Sequence, residues 1–372
     1  MTTCEPTAPR AATEPRDTDR AGPAPPEPAS RDVLLDNAKF LLIALVVIGH
    51  AISPARDTRL ADALYFWIYL FHMPAFVLIC GYLSKSFDGA PRRVDRLLTG
   101  VAVPYLIFWA LYSGQQLLAG DSAPPSPLEP VWITWFLLAL LLWRLSVPLW
   151  RRLRWPVAVA VGVSLATGVQ EFGFDMSMSR VLSLLPFFVL GLALRPEHLE
   201  ALRRRWVRVA AVLLFAAAFA ATFVLIPDLS TEWVLWRETL ETRDAPITPG
   251  LLVRAGFLAA AGLLALGVLA LAPRRRTWFT ALGATTMYVY LLHGLPIRIA
   301  EMAGWYDAVD GYAGLAVNTG AAVLLTLLLA SRPVRWATRW AVEPRVPWVL
   351  ARGGPGTGPE EAGTPSRNGS RV

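Results

Sequence analysis

The sequence predicts an all-α fold: a polytopic membrane helix bundle with about ten transmembrane helices. Three observations carry that expectation. Of 372 residues, 55% are hydrophobic and only 17% charged, whereas a soluble domain carries roughly 25% Asp, Glu, Lys and Arg. The apolar residues fall in long runs, near the 20 or so that a helix needs to cross a bilayer. The basic residues fall in short clusters between those runs, the pattern of cytoplasmic membrane loops. A soluble two-domain enzyme is thereby excluded, because ten helices use roughly 200 residues and leave only tails and short loops. The mean hydropathy of +0.44 agrees.

Residues 1–32 are rich in Pro, Ala, Glu and Arg and contain no aromatic residue, so they are expected to form a disordered tail. They contain no apolar h-region of a signal peptide. The spans follow at about 34–53, 61–84, 97–118, 131–149, 156–169, 180–195, 206–226, 250–272, 278–299 and 312–331. The fifth is short, and the sixth contains Pro186. Gly256, Gly262 and Gly267 in the eighth suggest close helix packing. The transmembrane domain is expected over 33–340, with a second tail over 341–372. Cys4 and Cys80 imply no disulfide framework.

Orientation follows from the loops. Lys85, Arg92, Arg93 and Arg96 follow the second span, Arg151, Arg152 and Arg154 the fourth, and Arg203, Arg204, Arg205 and Arg208 the sixth. Arg274, Arg275 and Arg276 follow the eighth, and Arg332, Arg335 and Arg339 the tenth. The positive-inside rule places these loops and both termini in the cytoplasm of a multi-pass cell-membrane protein. The net charge of +7 is spread over these clusters and forms no continuous patch, so nucleic acid is not expected as a partner. The bilayer is.

Three of four histidines, His50, His72 and His293, lie within apolar spans, where ionisable groups are costly and usually face the bundle interior. Lys39 precedes His50 by eleven residues on the same helix. That spacing is close to three full turns, so the two side chains share a face about 16 Å apart. Asp36 lies three residues before Lys39 and is placed to pair with it. Two readings stand side by side. In one, Lys39 snorkels to the interface and His50 bonds a neighbouring helix. In the other, a cationic anchor at one face and a base near the other line one cavity, and a neutral imidazole there removes a proton from a hydroxyl. No zinc-ligand spacing, Walker A loop, Rossmann fingerprint or Gly-x-Ser-x-Gly elbow is present, and no metal is expected.

Arg31-Asp-Val-Leu-Leu-Asp36-Asn37-Ala-Lys39, an apolar run and Gly49-His50 resemble the start of the acyltransferase 3 family of integral membrane acyltransferases, most closely its fucose 4-O-acetylase-like branch. Phe71-His72-Met73-Pro74-Ala-Phe76, running to Gly81-Tyr82, is similar to that branch's second span. Trp135-Phe136 with Arg144, Ser179-Arg180, Pro186-Phe187-Phe188 to Gly191, and Tyr288-Val-Tyr290-Leu-Leu-His293 are similar in turn. The likeness covers roughly 31–335. It implies transfer of an acyl group, usually acetyl from acetyl-CoA as co-substrate, onto a hydroxyl of a sugar, glycolipid or other envelope glycan. The family's Arg-x10-His pattern falls on Lys39 and His50, with lysine in place of arginine, so the charge stays and the bidentate fork is lost.

The resulting expectation is an O-acyltransferase in which His50 serves as base or transient acyl carrier, with Lys39 and Asp36, at the other end of the same helix, as the further catalytic candidates. Lys39, Arg92, Arg93 and Arg96 are the candidate contacts of acyl-CoA phosphates. Arg180, His293, His72 and Trp135 are the candidate contacts of the acceptor. Each has a plainer alternative: Arg92, Arg93 and Arg96 as topogenic charges, the two histidines as interhelical hydrogen-bonding groups, Arg180 as a headgroup anchor and Trp135 as a belt residue. The rival function is a transporter or flippase for a lipid-linked glycan, with His and Lys as a proton relay.

Overall fold

The computed structural model describes Met1 and residues 32–344, except 125, 170–176, 226–229, 238 and 242–245. The expected tails therefore lie almost wholly outside the described residues. Within them every regular element is helical. In chain order these are α1 (Val33–Ile52), α2 (Arg59–Leu83), α3 (Pro91–Leu97), α4 (Val103–Leu118), α5 (Trp135–Trp150), α6 (Pro156–Ala166), α7 (Met178–Ala193) and α8 (Pro196–Ala201). There follow α9 (Arg205–Leu225), α10 (Glu232–Leu235), α11 (Ile247–Leu271), α12 (Thr286–Leu292), α13 (Gly294–Met302), α14 (Trp305–Ala308), α15 (Gly311–Leu329) and α16 (Arg332–Val342). A π turn at Leu98–Ala102 joins α3 to α4 into one long rod.

Seven of these stretches are long and apolar enough to cross a membrane: α1, α2, the α3–α4 rod, 132–150, α9, α11 and α15. The shorter α6 and α7 are apolar and fill the places of the fifth and sixth expected spans. The ninth expected span is not one helix. It is a 3-10 turn at Thr280–Thr285 followed by α12, a one-residue interruption at His293, and α13. The fully buried Asn37 of α1 explains the irregular start. Its amide donates to the carbonyls of Pro273 (2.8 Å) and Arg275 (3.0 Å), and its oxygen accepts from the hydroxyls of Thr277 (3.1 Å) and Thr280 (2.7 Å). Backbone groups freed from a helix at membrane depth need such partners.

The inner layer is α1 and α2. Helix α1 packs on α2, α15 and the 280–285 turn, and α2 packs on α7, α9 and α11. Thr58 caps α2, its hydroxyl accepting the Ala61 N–H at 3.1 Å. The α2–α7 crossing is the tightest. A Cβ at Gly81 would stand 2.0 Å from the Phe188 carbonyl oxygen, and one at Gly191 would stand 2.0 Å from that of Leu78. The two glycines thus let the backbones touch, as small residues do in membrane bundles. By contrast, Gly256 of α11 faces open space and Gly262 makes only an ordinary contact with Phe187, so of that trio only Gly267 packs closely, on Phe215 of α9.

Helix α9 is the outermost span, with only Ala211 and Thr222 buried. Val212, Leu213 and Val224 are exposed, as lipid-facing residues must be. Arg332, Arg335 and Arg339, read above as loop charges, lie on α16, whose Trp336 and Trp340 are exposed. The span criterion overlooks so short and polar a helix.

Candidate active site

Helix α1 carries His50 in its last turn. Helix α2 presents Tyr65, Tyr69 and His72 at i, i+4 and i+7, one face of a helix. These residues line a cavity of about 230 Å³, completed by Trp132 and Trp135 from the 132–150 span, Arg180 from the first turn of α7, Trp236 and Arg237 after α10, and Tyr290 of α12. The His50 ring centroid is 5.2 Å from that of His293, 5.2 Å from Trp132 and 6.0 Å from Tyr69. The Tyr69 hydroxyl oxygen stands 3.4 Å from His50 Nδ1. Residues from α2, the 132–150 span and the α12–α13 junction therefore pack around one imidazole.

The other two histidines have their tautomers fixed by backbone. His293 Nδ1 lies 2.7 Å from the Tyr290 carbonyl and 3.1 Å from that of Val289. Carbonyls only accept, so Nδ1 carries the hydrogen and Nε2 keeps a lone pair. That Nε2 is buried and has no hydrogen-bond partner among the described residues. His72 Nδ1 donates in the same way to the Ile68 carbonyl at 2.7 Å, leaving its Nε2 as an acceptor.

The wall is held open by two irregularities. Trp132 sits at φ 42°, a left-handed conformation that costs a bulky residue about 1–3 kcal/mol and marks functional sites. Tyr290 donates its hydroxyl hydrogen to the Ile133 carbonyl, pinning that turn. Gly294 gives the ring room: a Cβ there would meet the Trp132 ring at 2.7 Å and the Tyr112 hydroxyl at 2.5 Å.

The opposite end of α2 is a different place. Ser84, Ser86, Phe87, Arg93, Arg96 and Arg144 line an open, polar pocket of about 290 Å³. Arg144 Nε donates to Ser84 Oγ at 3.2 Å, and Arg93 Nε lies 3.5 Å from Asp88 Oδ1. Beside the pocket, Lys85 donates to the Leu194 carbonyl at the end of α7 and stands 3.9 Å from the Tyr82 ring centre. Burial lowers the Lys85 pKa below the usual lysine value. Twelve residues of helix separate His72 from Ser84, about 18 Å along the axis. Three guanidiniums with one carboxylate beside them suit a polyphosphate, each offering a planar fork to phosphate oxygens.

A profile of the acyltransferase 3 domain matches residues 32–331, the whole of this helical body up to α16. The chain belongs to the acyltransferase 3 family. Two curated relatives, both with the name nodulation protein NolL, align with it at 26% identity. The protein of Sinorhizobium fredii does so over 79% of this chain and 86% of its own length, and that of Mesorhizobium japonicum over 76% and 80%. No solved structure matches. The chain is thus a membrane-embedded acyltransferase.

Of the residues the sequence singles out, the structure gathers His50, His72, Arg180 and Trp135 around one cavity, with His293 packed on His50. It gathers Arg93 and Arg96 around the other pocket, while Arg92 is exposed and does not line it. Lys39 pairs with Asp36 at 2.8 Å, as their spacing indicated, and does not line the basic pocket. Sequence reasoning overlooks Arg254 of α11. It is 3% exposed, bonds the Ser183 hydroxyl and the Ser164 carbonyl, and lies 5.7 Å from the Trp236 ring centre. The signal was available, since Arg254 is a charge inside an otherwise apolar run.

Proposed function

We propose that this protein is an O-acyltransferase that moves an acetyl group from acetyl-CoA to a hydroxyl of a sugar or envelope glycan. The observation that carries the reading is the pair of pockets at opposite ends of α2, one with three histidines at hand and the other with three arginines. Arg93, Arg96 and Arg144 hold the CoA phosphates at the arginine-rich end, which the positive-inside rule makes cytoplasmic. Both termini then lie in the cytoplasm of a multi-pass cell-membrane protein. Lys39, between the two ends along α1, keeps a positive charge near the path of the thioester arm, with Asp36 offsetting its cost.

His50 acts at the other end. With its Nδ1–H turned to the Tyr69 oxygen, Nε2 is free to take the proton of the acceptor hydroxyl as that oxygen attacks the thioester carbonyl. The thiolate leaves and the proton follows it. His72 Nε2 and Trp135 face the acceptor. His293 Nε2, a lone pair beside the His50 ring, accepts a hydrogen bond from the imidazolium or from the incoming hydroxyl. The test is transfer of radiolabelled acetyl from acetyl-CoA to glycan in inverted membrane vesicles. His50→Ala should cut the rate about 10²–10⁴-fold at unchanged protein abundance. Retention of a tenth or more of the wild-type rate would remove His50 from the chemistry.

A further inference from the structure

Among the described residues, the walls of the His50 cavity contain no aspartate or glutamate, yet two arginines, Arg180 and Arg237, line it. The pair is asymmetric. Arg237 is bidentate to Glu232, at 2.8 and 3.2 Å, so its charge is already met. Arg180 has no ion pair or hydrogen bond among the described residues; its guanidinium carbon lies 5.1 Å from the Trp135 ring centre. Behind the wall, Arg254 bonds only neutral oxygens among the described residues and so adds a further positive charge. Glu232 also acts on Arg180 at longer range, but its carboxylate is engaged by Arg237. A half-buried guanidinium without an ion-pair partner of its own among the described residues is costly in a low dielectric, and a cleft lined by arginine concentrates positive potential.

Resting on the acceptor role of this cavity proposed above, we infer that the acceptor is anionic: its sugar carries a carboxylate or a phosphate, which Arg180 binds while the neighbouring hydroxyl meets His50. The planar fork of arginine matches both groups bidentately. Trp135 lies under the guanidinium on one side, an arrangement that leaves the N–H donors available to a ligand. A neutral sugar would leave that charge unmet, and the site would discriminate against it.

The experiment reads occupancy without requiring turnover. Ser53 lines the cavity, so Ser53→Cys on a Cys4→Ser background, in nanodiscs, is labelled with a charged thiol reagent. Methyl glucoside, methyl glucuronide and glucose 1-phosphate compete. One charge-assisted contact is worth roughly 10- to 150-fold in affinity, so at least one anion should protect at concentrations ten or more times lower than the glucoside. Arg180→Gln should erase that preference, and Arg180→Lys should keep part of it. Protection by the glucuronide alone assigns a uronate, and by glucose 1-phosphate alone a phosphate. Equal protection by all three, protection by none, or a preference that survives Arg180→Gln would overturn the proposal. The last outcome with slowed acetyl transfer would mark Arg180 as an oxyanion stabiliser. Anion protection without any acetyl transfer from acetyl-CoA would count against the acyltransfer scheme, and leave the anion site standing.

Discussion

The two ends of α2 are both cationic, but they handle charge differently. At the Ser84 end, Arg93, Arg96 and Arg144 surround an open pocket, and Asp88 at 3.5 Å is the only carboxylate within ion-pair distance of them among the described residues. At the His72 end, Arg180 stands against Trp135 in a cavity walled by tyrosine, tryptophan and histidine. Open guanidiniums suit a flexible polyanion that arrives from water. Enclosed imidazoles with fixed tautomers suit proton transfer, where a lone pair must be held in place before the reaction. The difference is what the proposed division, donor recognition at one end and chemistry at the other, requires.

Substitutions that act on one end only sharpen that division. Arg144→Met should have the largest effect on the donor. Its loss removes a charge-assisted contact of about 1.5–3 kcal/mol, so the acetyl-CoA KM should rise roughly 10- to 150-fold in inverted vesicles, with acceptor KM unchanged. Arg96→Met should behave alike. Arg92→Met should change neither, because Arg92 lies outside the pocket.

The wall between the two ends is broken most simply at the helix crossing. Gly191→Val would force a side chain into the Leu78 carbonyl, 2.0 Å from the new Cβ. Overpacking of this kind costs about 1–3 kcal/mol, or more where backbone rather than a flexible side chain must move. The thermal midpoint of the detergent-purified protein should fall, and both KM values should shift together. Gly256→Val, in open space, should leave the midpoint where it is.

The smallest effect is expected at Lys39. Its ammonium is held by Asp36 and does not line the basic pocket, so Lys39→Met should raise the donor KM less than Arg144→Met does. Lys39→Arg should keep nearly all activity. A Lys39→Met defect larger than that of Arg144→Met would move the phosphate site toward α1.

Much of this architecture was legible in the residues. The long apolar runs mark the helices because hydropathy sets which segments the bilayer accepts. The Lys39–Asp36 pair followed from i,i+3 spacing alone. Convergence was not legible: nothing in the chain order says that Tyr69, Trp132, Trp236 and Tyr290 share one cavity with His50, since that cavity lies between helices. The irregular start of the ninth span was not legible because Asn37, which bonds it, lies more than two hundred residues away in sequence. The close approach at Gly81 and Gly191 was hidden for the same reason, because glycine in a span signals packing without naming the partner. The short α16 fell below any span-length criterion.

The central claim, that donor and acceptor approach from opposite ends, is tested most directly by two cysteines, each introduced on a Cys4→Ser background in which the remaining Cys80 is buried. Ser86→Cys lies in the basic pocket and Ser53→Cys in the histidine cavity. A membrane-impermeant thiol reagent should label the Ser86 site only in inverted vesicles and the Ser53 site only in intact cells. Coenzyme A should protect the first and leave the second reactive. Labelling of both sites from one side, or protection at Ser53 with none at Ser86, would contradict the account.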